Sequence, residues 1–437
     1  MKAKITYILE LLRTSFWFVP LIIVISAIGL SGLLTYIDSL VDYKPQGFFL
    51  YLYTGSAESA RSILSTISAA MLGAASIVFS ITLVALSLAS SQFGPRLVRN
   101  FMYDRLNQTV LGTYIATFMY SLLVLQTVKG TEAEVQFIPH LAILFSLAIS
   151  VCSIILLVIF IHHISVSIQA DHIISTTANN LNKSLRKLFP EESEQNKPEP
   201  GRTEPQSFTI NIKGIPLHSH ADGYLQTTNT YGLIELAQKN DFYVKLHCRP
   251  GDYVVKDSVL ATYYAAEPPR DNLLQNIYKN FILGKRRTPI KDPEFAINQI
   301  VEIACRALSP GINDPFTAIT GIDKLTSAMC YLTKAHFPKP EKYDTEGVLR
   351  LTIRPFTFSG LLDASFNQIR QYGAPSPSVM IRLMEALFVI YGFASKKSDK
   401  DDILRHADMI FRTSQITFKE TNDFFDLSNR YEKFERI

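Results

Sequence analysis

Four stretches near the start of the chain, residues 14–37, 62–95, 106–128 and 135–170, contain no Asp, Glu, Lys or Arg. Each exceeds the roughly 20 apolar residues that a helix needs to cross a bilayer, so the pattern predicts four transmembrane helices. The apolar part of the first is longer than the roughly 7–15 residues of a signal-peptide core, and no A-x-A-like site follows it. A retained span is therefore the better reading than a cleaved leader.

Beyond the fourth stretch the pattern turns polar. Residues 190–206 read PEESEQNKPEPGRTEPQ, too poor in apolar side chains to pack, and form a linker or exposed loop. After it, residues 208–212 alternate, Tyr224-Leu225-Gln226 follows a glycine, and residues 242–246 and 253–255 flank a turn at Pro250-Gly251-Asp252. Short strands joined by such turns predict a small β-barrel or sandwich. From Asp271 the periodicity becomes helical, over 295–307, 316–331, 379–394 and 403–418, with one alternating interruption at 348–353. The expected fold is a membrane α-helical protein with four transmembrane helices and a C-terminal cytoplasmic α+β region. Its expected divisions are a transmembrane domain (1–170), a connecting helix with polar linker (171–206), a small β module (207–267) and a mainly helical domain (268–437).

Charge sets the orientation, because Lys and Arg in short loops resist export. Lys2, Lys4 and Arg13 precede helix one, Arg96, Arg99 and Arg105 lie between helices two and three, and Lys183, Arg186 and Lys187 follow helix four. The opposite loops are poorer in positive charge, holding Asp38, Asp42, Lys44, Glu58 and Arg61 in one and Lys129, Glu132 and Glu134 in the other. Both termini are expected in the cytoplasm. Cys152 falls in helix four, and Cys248, Cys305 and Cys330 fall in the tail, where reducing conditions favour free thiols. The net charge of +4 over 437 residues is largely accounted for by the inside loops, so nucleic acid is not an expected partner.

Several motifs carry a resemblance. They are Ser90-Ser91-Gln92-Phe93-Gly94-Pro95-Arg96-Leu97 with Asn100-Phe101-Met102 and Asp104-Arg105, Leu111-Gly112-Thr113-Tyr114, Arg249-Pro250-Gly251-Asp252-Tyr253-Val254, and Ala307-Leu308-Ser309-Pro310-Gly311-Ile312-Asn313-Asp314-Pro315-Phe316-Thr317-Ala318. Across nearly its whole length the chain resembles the predicted membrane proteins grouped as domain of unknown function 2254. That resemblance implies a bacterial inner-membrane protein and brings no reaction, ligand or functional residues with it.

Helix two carries the sharpest pattern. Ser62, Ala69, Ser76 and Ser90 stand seven apart or at a multiple of seven, and Thr66, Gly73, Ser80, Ser87 and Gly94 form a parallel series. Such spacing puts small and hydroxyl side chains on one helix face. One reading is close helix packing, since small residues let spans approach and hydroxyls bond across the contact. The other is that Ser62, Thr66, Gly73, Ser76, Ser80 and Ser87 line a polar path in a homo-oligomer. Arg96 and Arg99 would stand at its inner mouth or hold lipid phosphates, although setting topology explains them as well. No ionisable Asp, Glu, Lys or Arg lies inside the spans, which disfavours a proton-driven transporter. His162 and His163 are expected at the cytoplasmic interface.

In the tail, His218, His220 and Asp222 alternate, so in an extended strand they would converge on one side, as weak metal candidates. The spacing is similar to that of metallo-β-lactamase-like hydrolases, but Gly223 replaces their last histidine. At residues 308–318, Ser309-Pro310-Gly311 ends one helix, and Asn313 or Asp314 caps the next with Pro315 at its first position. Asn313 and Asp314 are also candidates for a ligand or subunit contact. The region from Gly223 to Asp257 is similar to lipoyl and biotinyl carrier modules, yet lacks their Met-Lys-Met setting, so no cofactor is expected. No G-x-S-x-G, phosphate-binding glycine loop or zincin helix occurs, and an enzyme is not expected. The sequence points to a bilayer-embedded homo-oligomer that forms or regulates a small-solute or ion path along helix two. The alternative is a non-transporting scaffold or signalling protein whose cytoplasmic tail binds a protein partner.

Overall fold

Four long helices account for the charge-free stretches: α1 (Phe18–Leu40), α2 (Ala57–Phe93), α3 (Arg105–Thr127) and α4 (His140–Ser167). All four are long and apolar enough to cross a membrane. The computed structural model describes residues 17–40, 56–94, 104–129, 137–191, 213–289, 291–434 and 436. The chain divides into two units, Met1–His172 and Ile173–Ile437.

In the first unit, Ser56 caps α2 by accepting from Ser59 N at 3.2 Å, and Asp104 caps α3 by accepting from Leu106 N at 2.8 Å. Helix α3 is the most enclosed of the four and packs against the other three. Ala60, Leu64, Ala116, Tyr120, Val124 and Ile143 fill one part of the bundle. Ile67, Met71, Val78, Val110, Tyr114 and Phe160 fill the other. Lipid is as apolar as leucine, so these helices associate through close packing and hydrogen bonds more than through apolar burial.

Helix α5 (Ala170–Leu188) leads into the second unit and turns Ile173, Ile174, Ala178, Leu181 and Leu185 inward at a spacing of three and four residues. Next come β1 (Ile215–His218), β2 (Gly223–Thr228), α6 (Thr230–Lys239), β3 (Tyr243–Leu246), β4 (Tyr253–Val254), β5 (Val259–Tyr264), α7 (Asp271–Tyr278) and β6 (Phe281–Gly284). The chain then runs through α8 (Pro293–Ala307), α9 (Pro315–Leu332), β7 (Glu341–Tyr343), β8 (Leu349–Thr352), α10 (Phe358–Gly373), α11 (Pro377–Phe393), α12 (Lys397–Thr417) and α13 (Thr421–Tyr431).

Two sheets form, a five-stranded one in the order β1-β5-β3-β8-β7 and a three-stranded one in the order β4-β2-β6. The hairpin β7–β8 comes from far down the chain, and β8 joins β3 in parallel with Val244 opposite Leu351. Leu351 thereby enters the same core as Leu217, Leu225, Leu233, Phe242, Val244, Leu260 and Tyr263. Strand and helix segments of the tail thus share one unit. The alternating residues 208–212 lie outside the described residues.

The Arg249-Pro250-Gly251-Asp252 turn is held against the start of α8. Arg249 Nη2 donates to Glu294 Oε1 at 2.6 Å, and Arg287 grips Asp292 through Nε and Nη2 at 2.7 and 2.9 Å. Gly251 has φ +99°, and a Cβ there would lie 2.4 Å from Asp292 Oδ2. Both the backbone conformation and the close approach require glycine.

His406 on α12 is 1% exposed, with Nε2 2.9 Å from Asp363 Oδ1 on α10. Burial lowers its pKa, the hydrogen bond to Asp363 opposes the fall, and Arg405 and Arg370 add to it. A folded pKa below the unfolded value of about 6.5 means that the associated stability is complete above that pH and is lost as pH falls through the folded value. Thermal melts are expected to be level above about pH 7 and to decline below about pH 6.5, and His406→Gln should flatten that acid limb.

Candidate functional site on the outward face of helix two

Helix α2 packs on its own bundle through Ala60, Leu64, Ile67, Met71, Ala75, Val78, Ala85 and Ala89, all buried. These positions recur at three and four residues and form one narrow stripe. Ser62, Thr66, Gly73, Ser76, Ser80 and Ser87 are all exposed. At about 100° per residue, the two sets lie about 180° apart around the helix. The small and hydroxyl face therefore points away from the bundle. It is bordered by exposed Leu72, Phe79 and Leu83 on one side and Ile63, Ile77 and Leu88 on the other.

The side chains on this face are short apart from Val84, which is 57% exposed. Around Gly73, a Cβ would meet nothing within 4 Å. The Thr66 hydroxyl donates to Ser62 O at 2.8 Å and the Ser76 hydroxyl to Leu72 O at 3.0 Å. Each such hydroxyl retains acceptor capacity toward a neighbour. Arg96 and Arg99 lie outside the described residues.

Polar contacts inside the bundle occur elsewhere, between α3 and α4. The Ser121 and Ser146 hydroxyls are 2.7 Å apart and those of Thr117 and Ser153 are 3.3 Å apart. Tyr114 Oη donates to Ser153 O at 2.6 Å, and Tyr120 Oη donates to Ala142 O at 3.0 Å. Thr117, Ser121, Ser146 and Ser153 are each 0% exposed. Spacings of four and seven residues put Thr117 with Ser121 and Ser146 with Ser153 on one face of each helix, but nothing in the sequence pairs the two faces. The ends of α4 are also fixed. Asp38 accepts from Leu141 N and Ala142 N at 3.0 and 2.9 Å, placing a carboxylate at the positive end of the helix. At the other end His163 Nε2 lies 2.5 Å from Asp104 Oδ2, while His162 is exposed.

Between α1 and α4 a groove of about 680 Å³ is lined by Leu34, Leu141, Leu144, Phe145, Leu147 and Val151, all hydrocarbon.

The tail candidates are placed differently. His218, His220 and Asp222 do not converge, because β1 ends at His218 and residues 219–222 turn before β2 instead of continuing as a strand. His218 Nδ1 lies 2.6 Å from Asp257 O, the His220 ring sits 4.1 Å from that of Tyr278, and Asp222 accepts from Lys256 N at 2.7 Å. Among the described residues, no group of three or more His, Cys, Asp or Glu is arranged to hold a metal ion. Asp314, not Asn313, caps α9: its oxygens accept from Thr317 N at 3.1 Å and Thr317 Oγ1 at 2.6 Å. Asn313 takes a left-handed φ of +50°. Asn313 is exposed, as are the large apolar side chains of Ile312 and Phe316 at this turn, at 48% and 78%.

The model of the family DUF2254, described as predicted membrane protein, matches residues 13–388. The chain belongs to this family. An uncharacterized protein of Mycobacterium bovis is 30% identical over 424 residues, covering 95% of this chain and 79% of the relative. An uncharacterized protein of Mycobacterium tuberculosis matches with the same identity and coverage. No solved structure matches the chain. For this DUF2254 member, the family's description as a membrane protein agrees with the candidate spans, and Gly112 and Gly251 stand at tight contacts in the fold.

Proposed function

We propose that this multi-pass protein is a homo-oligomer that joins its copies through the small face of α2, and that the joined faces form or regulate a path for a small solute or ion. The observation that carries this reading is the exposure of Ser62, Thr66, Gly73, Ser76, Ser80 and Ser87 opposite the face that α2 uses within its own chain. Against lipid, a face of small side chains between larger ridges gains little; against another helix it permits close approach and hydroxyl contacts. Several such faces around an axis would offer hydroxyls to water or ions without burying a charge. Within one copy the α3–α4 hydroxyls are packed against each other and the α1–α4 groove is hydrocarbon, so a shared axis is the natural place for a path.

The setting proposed is a bacterial inner membrane with both termini cytoplasmic, supported by the loop charges and by the mycobacterial relatives. A non-transporting scaffold is favoured instead by the hydroxyls of Thr66 and Ser76, which already bond their own helix and tolerate a dry contact.

Water decides between them. With Cys152, Cys248, Cys305 and Cys330 replaced, single cysteines at Ser76 and Ser80 are expected to react with a charged, membrane-impermeant thiol reagent, while one at lipid-facing Ile154 stays unreactive. Unreactive cysteines at both positions would remove the path and leave the scaffold.

A further inference from the structure

The arginines of helices α8 to α13 fall into two groups. Arg306 lies 3.9 Å from Glu302, Arg382 2.7 Å from Asp323, Arg405 2.9 Å from Asp363 and Arg430 2.7 Å from Glu385. Arg370 on α10 and Arg412 on α12 have no carboxylate partner among the described residues. Arg370 Nη1 donates to Thr413 Oγ1 at 3.1 Å, Thr413 follows Arg412 in the chain, and the Arg412 charge acts on Arg370. Thr413 in turn donates to Met409 O at 2.7 Å, which fixes its lone pairs toward Arg370.

Arg370 is half-buried, and its Nε is buried without a hydrogen-bond partner. One turn earlier, Asn367 Nδ2 donates to Asp363 at 3.2 Å, while Asn367 Oδ1 is also buried without a partner. Burial and the charge of Arg412 both lower the Arg370 pKa. A desolvated cation beside a second cation is costly unless an anion neutralises it. A water molecule could satisfy an N–H, but it supplies no charge. Guanidinium forks bind carboxylate and phosphate oxyanions through paired N–H···O contacts, and two adjacent cations match the larger charge of a phosphate group.

We propose that Arg370 and Arg412, with Thr413 orienting the first, form a binding site for a phosphate group, carried either by a free phosphate compound or by a lipid headgroup. Arg370 is the inner contact and exposed Arg412 the outer one.

The test uses the full chain, purified in a maltoside detergent and melted with inorganic pyrophosphate at constant ionic strength, and separately in nanodiscs of phosphatidylglycerol or phosphatidylcholine. A saturable rise in melting temperature with pyrophosphate, weakened about tenfold by Arg412→Gln, supports a free phosphate compound. A rise confined to phosphatidylglycerol discs and lost in Arg412→Gln supports a lipid headgroup. Since Arg370→Gln alters a half-buried position, the exposed Arg412 variant carries the comparison, with Arg405→Gln as the control for general loss of positive charge. No rise in either arm, or a rise that Arg412→Gln leaves intact, overturns the site.

Discussion

Replacing Gly112 with leucine is expected to abolish the folded membrane bundle. Gly112 is the point where α3 meets α1: a Cβ would stand 2.8 Å from Pro20 Cα and 3.0 Å from Ile23 Cδ1. The first neighbour is backbone and cannot rotate away, so α1 must move off α3. Overpacking a tight core costs about 1–3 kcal/mol with backbone shifts included, occasionally more, and a whole leucine side chain against backbone belongs at the upper end. Since α3 is also the helix that α2 and α4 pack on, separation of α1 propagates to the whole unit. Yield of monodisperse protein on gel filtration checks this, with Gly112→Ala giving an intermediate result. Gly73→Leu, at a position with open space, should leave the fold of the single chain intact.

The second large effect belongs to the tail. Arg350 and Asp344 have side chains 6% and 0% exposed, and Arg350 Nε donates to Asp344 Oδ2 at 2.7 Å. Asp344 also accepts from Glu346 N at 3.0 Å and Val348 N at 2.9 Å, so the pair fixes the β7–β8 hairpin that completes the sheet. Removing one partner of a buried pair strands the other charge, at a cost of about 3–5 kcal/mol. Arg350→Met should lower the melting temperature of the tail strongly, and adding Asp344→Asn should recover much of the loss. Burial opposes the Asp344 charge, but the Arg350 hydrogen bond and the two backbone N–H groups outweigh it and hold its pKa below the ordinary value. The stabilisation is therefore complete above about pH 4 and is lost as pH falls through the lower folded value, which acid titration of the wild type checks.

What could be read from the sequence depended on how local the cause was. The four spans were legible because absence of charge over more than 20 residues has one physical explanation in a helix. The strand at Tyr243–Leu246 was legible from a short run beside a turn and that at Leu349–Thr352 from alternation, but their pairing was not, because a parallel neighbour about a hundred residues away leaves no local trace. Helix α10 escaped notice since Ser359, Gly360 and Gly373 dilute its apolar stripe of Leu361, Leu362, Phe366 and Ile369. The arrangement of His218, His220 and Asp222 was illegible for a related reason. Alternation of His218, His220 and Asp222 places them together only in a strand, and the chain turns after His218. The small face of α2 was visible as a seven-residue pattern, whereas its direction away from the bundle required the fold. Conversely, Thr117, Ser121, Ser146 and Ser153 became a polar contact only once α3 and α4 were seen side by side.

The claim that copies of this chain meet through the small face of α2 is tested most directly by disulfide cross-linking in native membranes. In a background lacking the other cysteines, a single cysteine at Ser76 should form a disulfide-linked dimer under mild oxidation, because side chains facing one another across a close helix contact come within bonding reach. A variant keeping Cys152, exposed on α4, as its single cysteine serves as the comparison and should remain monomeric. Dimers through Cys152 and none through residue 76 would contradict the account and move the subunit contact away from helix two.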